Sequence, residues 1–415
     1  MLKLLDDFPG ANIGPGQVDG NRVRLRLRRD PVTRADGARH DYNYHFVFGL
    51  QNQGPAPCRA QVGIEAEGPQ GLSQRPLLYA AATLEEEFAP ANVGARYDGG
   101  RAYWLELDLA AGQSLYLANT YFQPPARLAA RLAELAAAGG ARAEAYGHSL
   151  QGRDLVAYHY PAAQGPEQAC VFITSGFHPP EPDTLASQAV MQWLASPQAS
   201  EARQRLSFCL APMVNPDGFF LGTQGHNAAG VNFYWEFRPE RAERIPEAAA
   251  LWALAQRLQP ALYFDFHAYT FQGAAKAAGP YLKPQWHYRG LAVRTLAADM
   301  ERRLLEFTGG ACMRGASPLA LTTLQSRLTR RFNTVTFAKY HLHLGQGLEA
   351  CREHGRQVVA AAALAMLDAD LTRTADILAA PYGRQPRDPL RSLAGWSQAL
   401  WEGPSKGFLR PLLGR

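Results

Sequence analysis

His178 and Glu181, three residues apart in the segment SGFHPPEPD, and His267 in the later segment LYFDFHAYT form a nitrogen, oxygen, nitrogen set suited to a catalytic zinc ion. Such a site takes three protein ligands and leaves the fourth position for water. The surrounding segments fit that chemistry. ACVFITSG has the character of a buried strand running into a loop, which puts His178 and Glu181 at the strand's exit, in the crevice where open α/β sheets bind ligands. LYFDFHA has the character of a second buried strand, and its His267 would reach the same sheet edge as a long-range third ligand. Asp265 would share the strand face of His267 and is expected to brace a loop or the histidine itself.

The elements that must position these residues follow from patterning. The chain has 415 residues, 47% of them apolar, enough for two domains with a sizeable core. Up to about Tyr121, segments such as RVRLRLRRD, CRAQVGIEA, YWLELDL and SLYLANTY alternate in character between Gly, Pro and Asn clusters. Residues 1–122 are therefore expected to form an antiparallel β-sandwich domain. PARLAARLAELAAAGG follows, with helical spacing and terminal glycines that suit a helix end. From there strands (VFITSG, LSFCLAPMV, ALYFDFHA, NTVTFAKY) alternate with helix-length segments, so residues 123–370 are expected to be an α/β domain with helices packed on a mostly parallel or mixed sheet. Residues 371–415 form a Pro- and Arg-rich extension. Its amphipathic stretch LRSLAGWSQALW, with Trp396 and Trp401, is expected either to pack on the second domain or to mediate self-association, giving a homo-oligomer.

Composition excludes several classes. The segment MLKLLDDFPG has neither the basic nor the apolar region of a signal peptide, and no apolar run approaches the eighteen or so residues of a spanning helix, so a cytoplasmic protein with no membrane partner is expected. Five scattered cysteines without CxxC spacing point to reduced thiols. The net charge is +5, but no Lys/Arg block with interleaved aromatics marks a nucleic-acid surface, and the charge serves solubility more simply than an acidic ligand.

The second half also carries HSLQGRDL, HPPE, PMVNPDGFFLGTQGHNAAGVN, IPEAAALW, DFHAY and NTVTFAKY, in that order, between Gly147 and Leu367. HxxE alone is common by chance. The ordered series resembles the M14 zinc carboxypeptidases, most closely the cytosolic-carboxypeptidase-like branch with an N-terminal β-sandwich. The resemblance implies a mixed eight-stranded sheet flanked by helices, a Zn2+ ion held by His178, Glu181 and His267, and hydrolysis of a peptide or small amide. Taken singly, each histidine fits a hydrogen-bonded core role, and Glu181 fits a helix start. NPDG fits a tight exit from its strand, and GRD at Gly152–Asp154 a structural loop.

Three departures from the family pattern carry consequences. The family places a general-base Glu near the end of a late strand; in NTVTFAKY that position is Ala338, and a methyl group cannot accept a proton. Either the natural protein lacks this base or uses another, or a glutamate has been replaced here; the intact ligand triplet favours the replacement. Glu349 and Glu353, in the following helix, fit solvated positions better than a substitute base. The family's Asn-Arg carboxylate reader aligns with Tyr234 and Trp235 in GVNFYWEF, and Asn232 replaces the preceding Asp. Arg238, Arg330 or Arg331 could supply a displaced cation, or could simply be surface residues. The family's carbonyl-polarising Arg falls at Gly225, where His226 or Asn227 could donate to an oxyanion or merely build a turn. His341 and His343 form an HxH pair that fits one polar sheet face as well as a metal. The expected function is zinc-dependent hydrolysis of an amide with altered substrate recognition. The alternatives are a non-catalytic module that captures a ligand in the zinc cleft, or an esterase or acyl-amino-acid hydrolase on the same scaffold.

Overall fold

Alternation of buried and exposed residues builds the first part of the chain. In RVRLR and AYWLELDL nearly every second side chain is buried, as in strands with one wet face. The computed structural model describes residues 1–30, 45–65, 77–98, 102–269, 279–282, 287–307, 313–314, 323–343 and 347–378. Among them, ten strands precede the first helix: β1 (Leu2–Leu5), β2 (Gln17–Asp19), β3 (Arg22–Arg26), β4 (Val47–Asn52), β5 (Cys58–Glu65), β6 (Tyr79–Ala81), β7 (Ala89–Pro90), β8 (Gly94–Asp98), β9 (Ala102–Leu109) and β10 (Ser114–Ala118). They make two sheets, ordered β1-β4-β10-β6-β7 and β2-β3-β5-β9-β8. One hydrophobic cluster draws on both, with Phe48, Leu50 and Leu117 of the first beside Val23, Val62, Ile64 and Leu105 of the second. The pairing is not wholly antiparallel as expected: β3 and β5 run parallel, from Arg22 opposite Gln61 to Arg26 opposite Glu65. Between them the chain visits the other sheet as β4, and a strand that crosses layers can return in its original direction, which a hairpin cannot do.

Helix α1 (Pro125–Ala138) starts on proline, where no intrahelical N–H is required, and Gly140 beyond its end has φ +66°. Its Leu128, Leu132 and Leu135 stripe packs into the core of the second sheet system. That system contains β11 (Arg142–His148), β12 (Asp154–Tyr160), β13 (Cys170–Thr174), β14 (Ser207–Ala211), β15 (Leu262–Tyr269), β16 (Gly279–Leu282), β17 (Met313–Arg314) and β18 (Val335–His343). Their order is β11-β12-β14-β13-β15-β18-β16-β17. The four central strands, β14, β13, β15 and β18, are mutually parallel, with antiparallel β12 on one side and antiparallel β16 on the other.

The helices are α2 (Thr184–Leu194), α3 (Ser200–Arg205), α4 (Pro216–Leu221), α5 (Pro246–Leu258), α6 (Leu291–Phe307), α7 (Leu324–Phe332), α8 (Leu348–Asp368) and α9 (Thr374–Leu378). Val171, Ile173, Leu262, Phe264 and Phe266 face the cluster shared with α1, α2, α6 and α8. Phe172 and Tyr263 face a second cluster with α5 and α7. Period-2 alternation thus buries both sheet faces and puts Asp265 and His267, in step with Tyr263, on the α5/α7 side.

NPDG differs from the expected tight turn, because Asn215 accepts from the Gly218 N–H at 3.1 Å and caps α4, with Pro216 at its first position. The GRD loop joins β11 to β12, and the buried Asp217 of NPDG accepts from Ser149 Oγ at 2.7 Å, from the Gln151 N–H at 2.8 Å and from Arg153 Nη1 at 2.7 Å. These two segments therefore brace one another. The stretch LRSLAGWSQALW and Cys312 lie outside the described residues. Cys58, Cys170, Cys209 and Cys351 are free thiols. No helix among the described residues is long and apolar enough to cross a membrane.

Candidate metal centre

The loop after β13 turns at Gly176, whose φ of +75° favours glycine. A Cβ there would stand 2.9 Å from the Phe219 ring and 3.1 Å from the Pro212 carbonyl oxygen. The Gly176 N–H donates to both carboxylate oxygens of Asp183, at 3.1 and 3.0 Å. Next the Glu181 N–H returns to the His178 carbonyl at 2.9 Å, closing a turn with Pro179 and Pro180 at its centre. The two prolines fix φ and remove alternatives from the unfolded chain, so His178 and Glu181 are held on one side of a stiff loop. His178 Nδ1 lies 3.0 Å from Glu181 Oε1. His267, near the carboxyl end of β15, brings its Nδ1 to 2.8 Å from Glu181 Oε2, and the Ala268 N–H donates to the same oxygen at 3.1 Å. One ligand atom from each of His178, Glu181 and His267 lies within 4.8 Å of the others.

The donor set fits zinc on two grounds. Two imidazole nitrogens and one carboxylate oxygen suit its borderline-soft character. Both Nδ1 atoms face Glu181, while each far nitrogen meets a buried oxygen: His178 Nε2 is 3.4 Å from Asn232 Oδ1, and His267 Nε2 is 3.3 Å from Asp265 Oδ1. Outer partners of this kind fix the tautomer of a metal-binding histidine. Aromatic rings close the rest of the shell. Tyr234 is edge-on to both imidazoles, with centroids 4.6 Å from His267 and 5.4 Å from His178, and Phe177 stacks on His267 at 6.3 Å.

Charge is concentrated in this largely buried space. Burial by itself would raise the pKa of Glu181, but the charges of His267 and His178, with their hydrogen bonds, hold its carboxyl well below the usual range. For His267, burial opposes protonation, yet Asp265 and Glu181 together lift it to about 10. Asp183 is pushed well above the usual carboxylate range, chiefly by burial.

The remaining residues singled out from the sequence are placed unevenly. Tyr234 and Asn232 touch the ligands as described, and half-buried Trp235 packs edge-on against Tyr234 at 4.7 Å. His226 uses its Nδ1 away from the metal ligands. Its ring is fully buried, with Nδ1 2.7 Å from Oδ2 of Asp30, in the segment after β3, whose enclosed carboxylate needs donors, while Nε2 is buried without a hydrogen-bond partner. The Gly225 N–H is used the same way, donating to Asp30 at 2.8 Å, as is that of Gln224 at 2.7 Å. Arg238 is half-buried and makes no ion pair among the described residues. Arg330 and Arg331 are exposed in the last turn of α7, just before the amino end of β18, and so belong to the sheet edge opposite His267.

Ala338 is the fourth residue of β18, not near its end as the family pattern suggests. The register slips there: Phe337 opposes Phe264 and Tyr340 opposes Phe266, leaving Ala338 and Lys339 together opposite Asp265 in a bulge. His341 and His343 oppose His267 and Tyr269 in the backbone register. Glu349 and Glu353 pair on α8 with Arg352 and Arg356, as solvated helix residues do. Sequence inspection passed over Asp30, which looks like an ordinary turn residue before proline in RRDP. Replacing it by Ala would strand three buried donors; we expect a loss of about 3 kcal/mol, read from denaturant unfolding as a lower midpoint at unchanged slope.

Such an arrangement defines an α/β protein with a candidate zinc centre at the carboxyl ends of its parallel strands. Residues 129–245 match the zinc carboxypeptidase family, Peptidase M14. Two curated relatives are called cytosolic carboxypeptidase 6: the one from Homo sapiens is 39% identical over 101 residues, 22% of this chain and 20% of its own length, and the one from Mus musculus is 37% identical over 101 residues, 22% and 19% of the two chains. The match thus spans about a fifth of those relatives. The crystal structure of a metallo-carboxypeptidase from Burkholderia cenocepacia superposes with a TM-score of 0.71 at 19% identity, covering 89% of this chain and 100% of that one. A metallo-carboxypeptidase from Pseudomonas aeruginosa, in complex with (2-guanidinoethylmercapto)succinic acid, gives 0.67 at 18% identity, covering 88% and 99%. The fold is that of these metallo-carboxypeptidases, and residues 129–245 carry the likeness to the M14 family, with the cytosolic carboxypeptidases among the relatives.

Proposed function

We propose that this protein is a zinc-dependent hydrolase of an amide bond in a peptide or amino-acid amide, and that alanine at position 338 leaves it nearly inactive as it stands. The observation that carries the reading is the convergence of His178, Glu181 and His267, with each far imidazole nitrogen facing a buried oxygen. These three residues would hold the ion, which supplies Lewis acidity toward a carbonyl and a lowered pKa for water. Asn232 and Asp265 keep the two Nδ1 lone pairs directed inward, and Tyr234 and Phe177 keep bulk water from the imidazoles. Tyr234 and Trp235 stand where the family grips a terminal carboxylate, so recognition is shifted from that group toward an apolar or aromatic one. A modified amino acid released from a carrier, or a small amide, fits better than general trimming of C-termini. Residues 1–122 would form the β-sandwich domain, 123–370 the catalytic domain and 371–415 an extension packed on it. Because the curated relatives are named cytosolic, a cytoplasmic setting is part of this reading.

Ala338 itself favours a second reading, a zinc cleft that captures a ligand without cutting it. Cell extract incubated with the zinc-loaded chain and, separately, with an Ala338→Glu form, followed by untargeted mass spectrometry, separates the two. Depletion of one species by the glutamate form, with two fragments appearing, supports the hydrolase and identifies the scissile bond. An extract left intact by both forms, with a small molecule or peptide retained on the chain, would establish capture instead.

A further inference from the structure

We propose that Gln325, at the start of α7, is a positioning residue for the zinc centre: together with Tyr234 it fixes the carboxylate of Asp265, and through it the tautomer of His267. The inference rests on the metal-site reading above and extends it to two side chains outside the ligand set.

Gln325 is 1% exposed and lies on the inner stripe of α7 with Leu324, Leu328 and Phe332. Its Nε2 donates to Asp265 Oδ2, and its side chain also hydrogen-bonds Tyr234. Its Oε1 is buried with no hydrogen-bond partner. An apolar side chain of the same size would fill that stripe without an orphaned oxygen, so packing does not explain a glutamine here. The carboxylate does. Asp265 is wholly buried and can only accept; Thr174 Oγ1 and His267 Nε2 both approach its Oδ1, each at 3.3 Å, which leaves Oδ2 needing a donor. Gln325 must therefore present its nitrogen to Asp265, whatever becomes of its oxygen.

With Oδ2 tied to α7, the carboxylate cannot rotate away from β15. Oδ1 stays opposite His267 Nε2, a proton stays on that nitrogen, and Nδ1, on the Glu181 side, is the atom left to exchange its proton for a metal. Tyr234 joins the same amide while its ring lies edge-on to both histidines. One glutamine thus links α7, β15 and the 231–236 segment around the ligand that comes from farthest along the sequence.

The test is zinc affinity of the full chain, by competition with a colorimetric chelator, together with the visible spectrum of the Co2+-loaded form. Gln325→Met keeps the volume and removes the donor; we expect roughly 10- to 100-fold weaker zinc binding and altered Co2+ bands, with unchanged far-ultraviolet circular dichroism. Gln325→Met and Asp265→Asn combined should cost less than the product of the two single losses, since they break one chain of contacts. His267→Ala is the control for the site. If it binds zinc as tightly as the parent, the metal-site reading itself falls. If it loses zinc while Gln325→Met stays within about twofold of the parent with the same Co2+ spectrum, this inference falls and the site stands. Should Gln325→Met fail to fold, Tyr234→Phe decides in its place: a severalfold loss of affinity supports the linkage, and parent-like affinity overturns it.

Discussion

Glutamate at position 338 is expected to raise amide hydrolysis by the zinc-loaded chain roughly 10²- to 10⁴-fold over the alanine form, the usual contribution of a positioned general base. Position 338 lies on β18, which pairs with the strand carrying His267, and the bulge sets Ala338 and Lys339 against Asp265. Bulges recur beside active sites because they re-aim a side chain that regular pleating would send elsewhere. A proton acceptor acts only as the barrier is crossed, so the gain should appear in kcat, with KM little changed. Ala338→Gln separates chemistry from shape: it matches glutamate in size, accepts a proton poorly and should remain near the alanine rate. Equal activity of the Gln and Glu forms would remove proton transfer from this position. A glutamate form no faster than the parent, on an amide that the zinc-loaded chain demonstrably binds, would transfer the argument to the capture reading.

What could be read from the sequence was whatever local spacing encodes. The HxxE pair is carried by one stiff turn, Pro179 and Pro180 between its ends, so its geometry is implicit in four adjacent residues. His267 is distant, but two buried apolar runs, Cys170–Thr174 and Leu262–Tyr269, became parallel neighbours, and strand pairing carried it to the same edge. Asp265 was legible for the same reason, since period 2 puts it on the face of His267. Partners that meet only through the tertiary fold were not. Nothing local in RRDP tells that Asp30 will be enclosed by the backbone N–H groups of Gln224 and Gly225 and by Nδ1 of His226, so the commitment of that ring nitrogen was not visible. Gln325 left a faint signal, a long polar side chain in line with Leu324, Leu328 and Phe332 on a stripe whose other polar member is Thr329. The parallel run of β3 against β5 left none, because pairing direction depends on which layer the intervening strand joins.

Zinc should stabilise this chain more as pH rises, and the metal-free chain should show the opposite trend around the same cluster. Two shifted groups decide the sign. Glu181 has a folded-state pKa well below its unfolded value near 4.5, so its contribution is present above that value and is lost as acid protonates the folded carboxylate. His267 is raised from 6.5 to about 10, so its contribution is complete below 6.5 and is lost as pH climbs toward 10. Without metal, the cluster therefore supports the fold best between these two unfolded values, and less at each step into the alkaline range. Zinc accepts only the neutral imidazole, and each unit of pH makes the proton it must displace about tenfold easier to remove. Between pH 6 and pH 8 that amounts to roughly a hundredfold in apparent affinity, or about 2.7 kcal/mol of added stabilisation at saturating zinc. Thermal unfolding followed by circular dichroism, in excess zinc and in chelator across that range, should show two midpoints that draw apart as pH increases. The His267→Ala variant should lose the divergence along with most of the zinc effect. A gap of constant width in the parent would mean that no proton leaves His267 on binding, so that the imidazole is already neutral in the metal-free fold and its pKa is not raised.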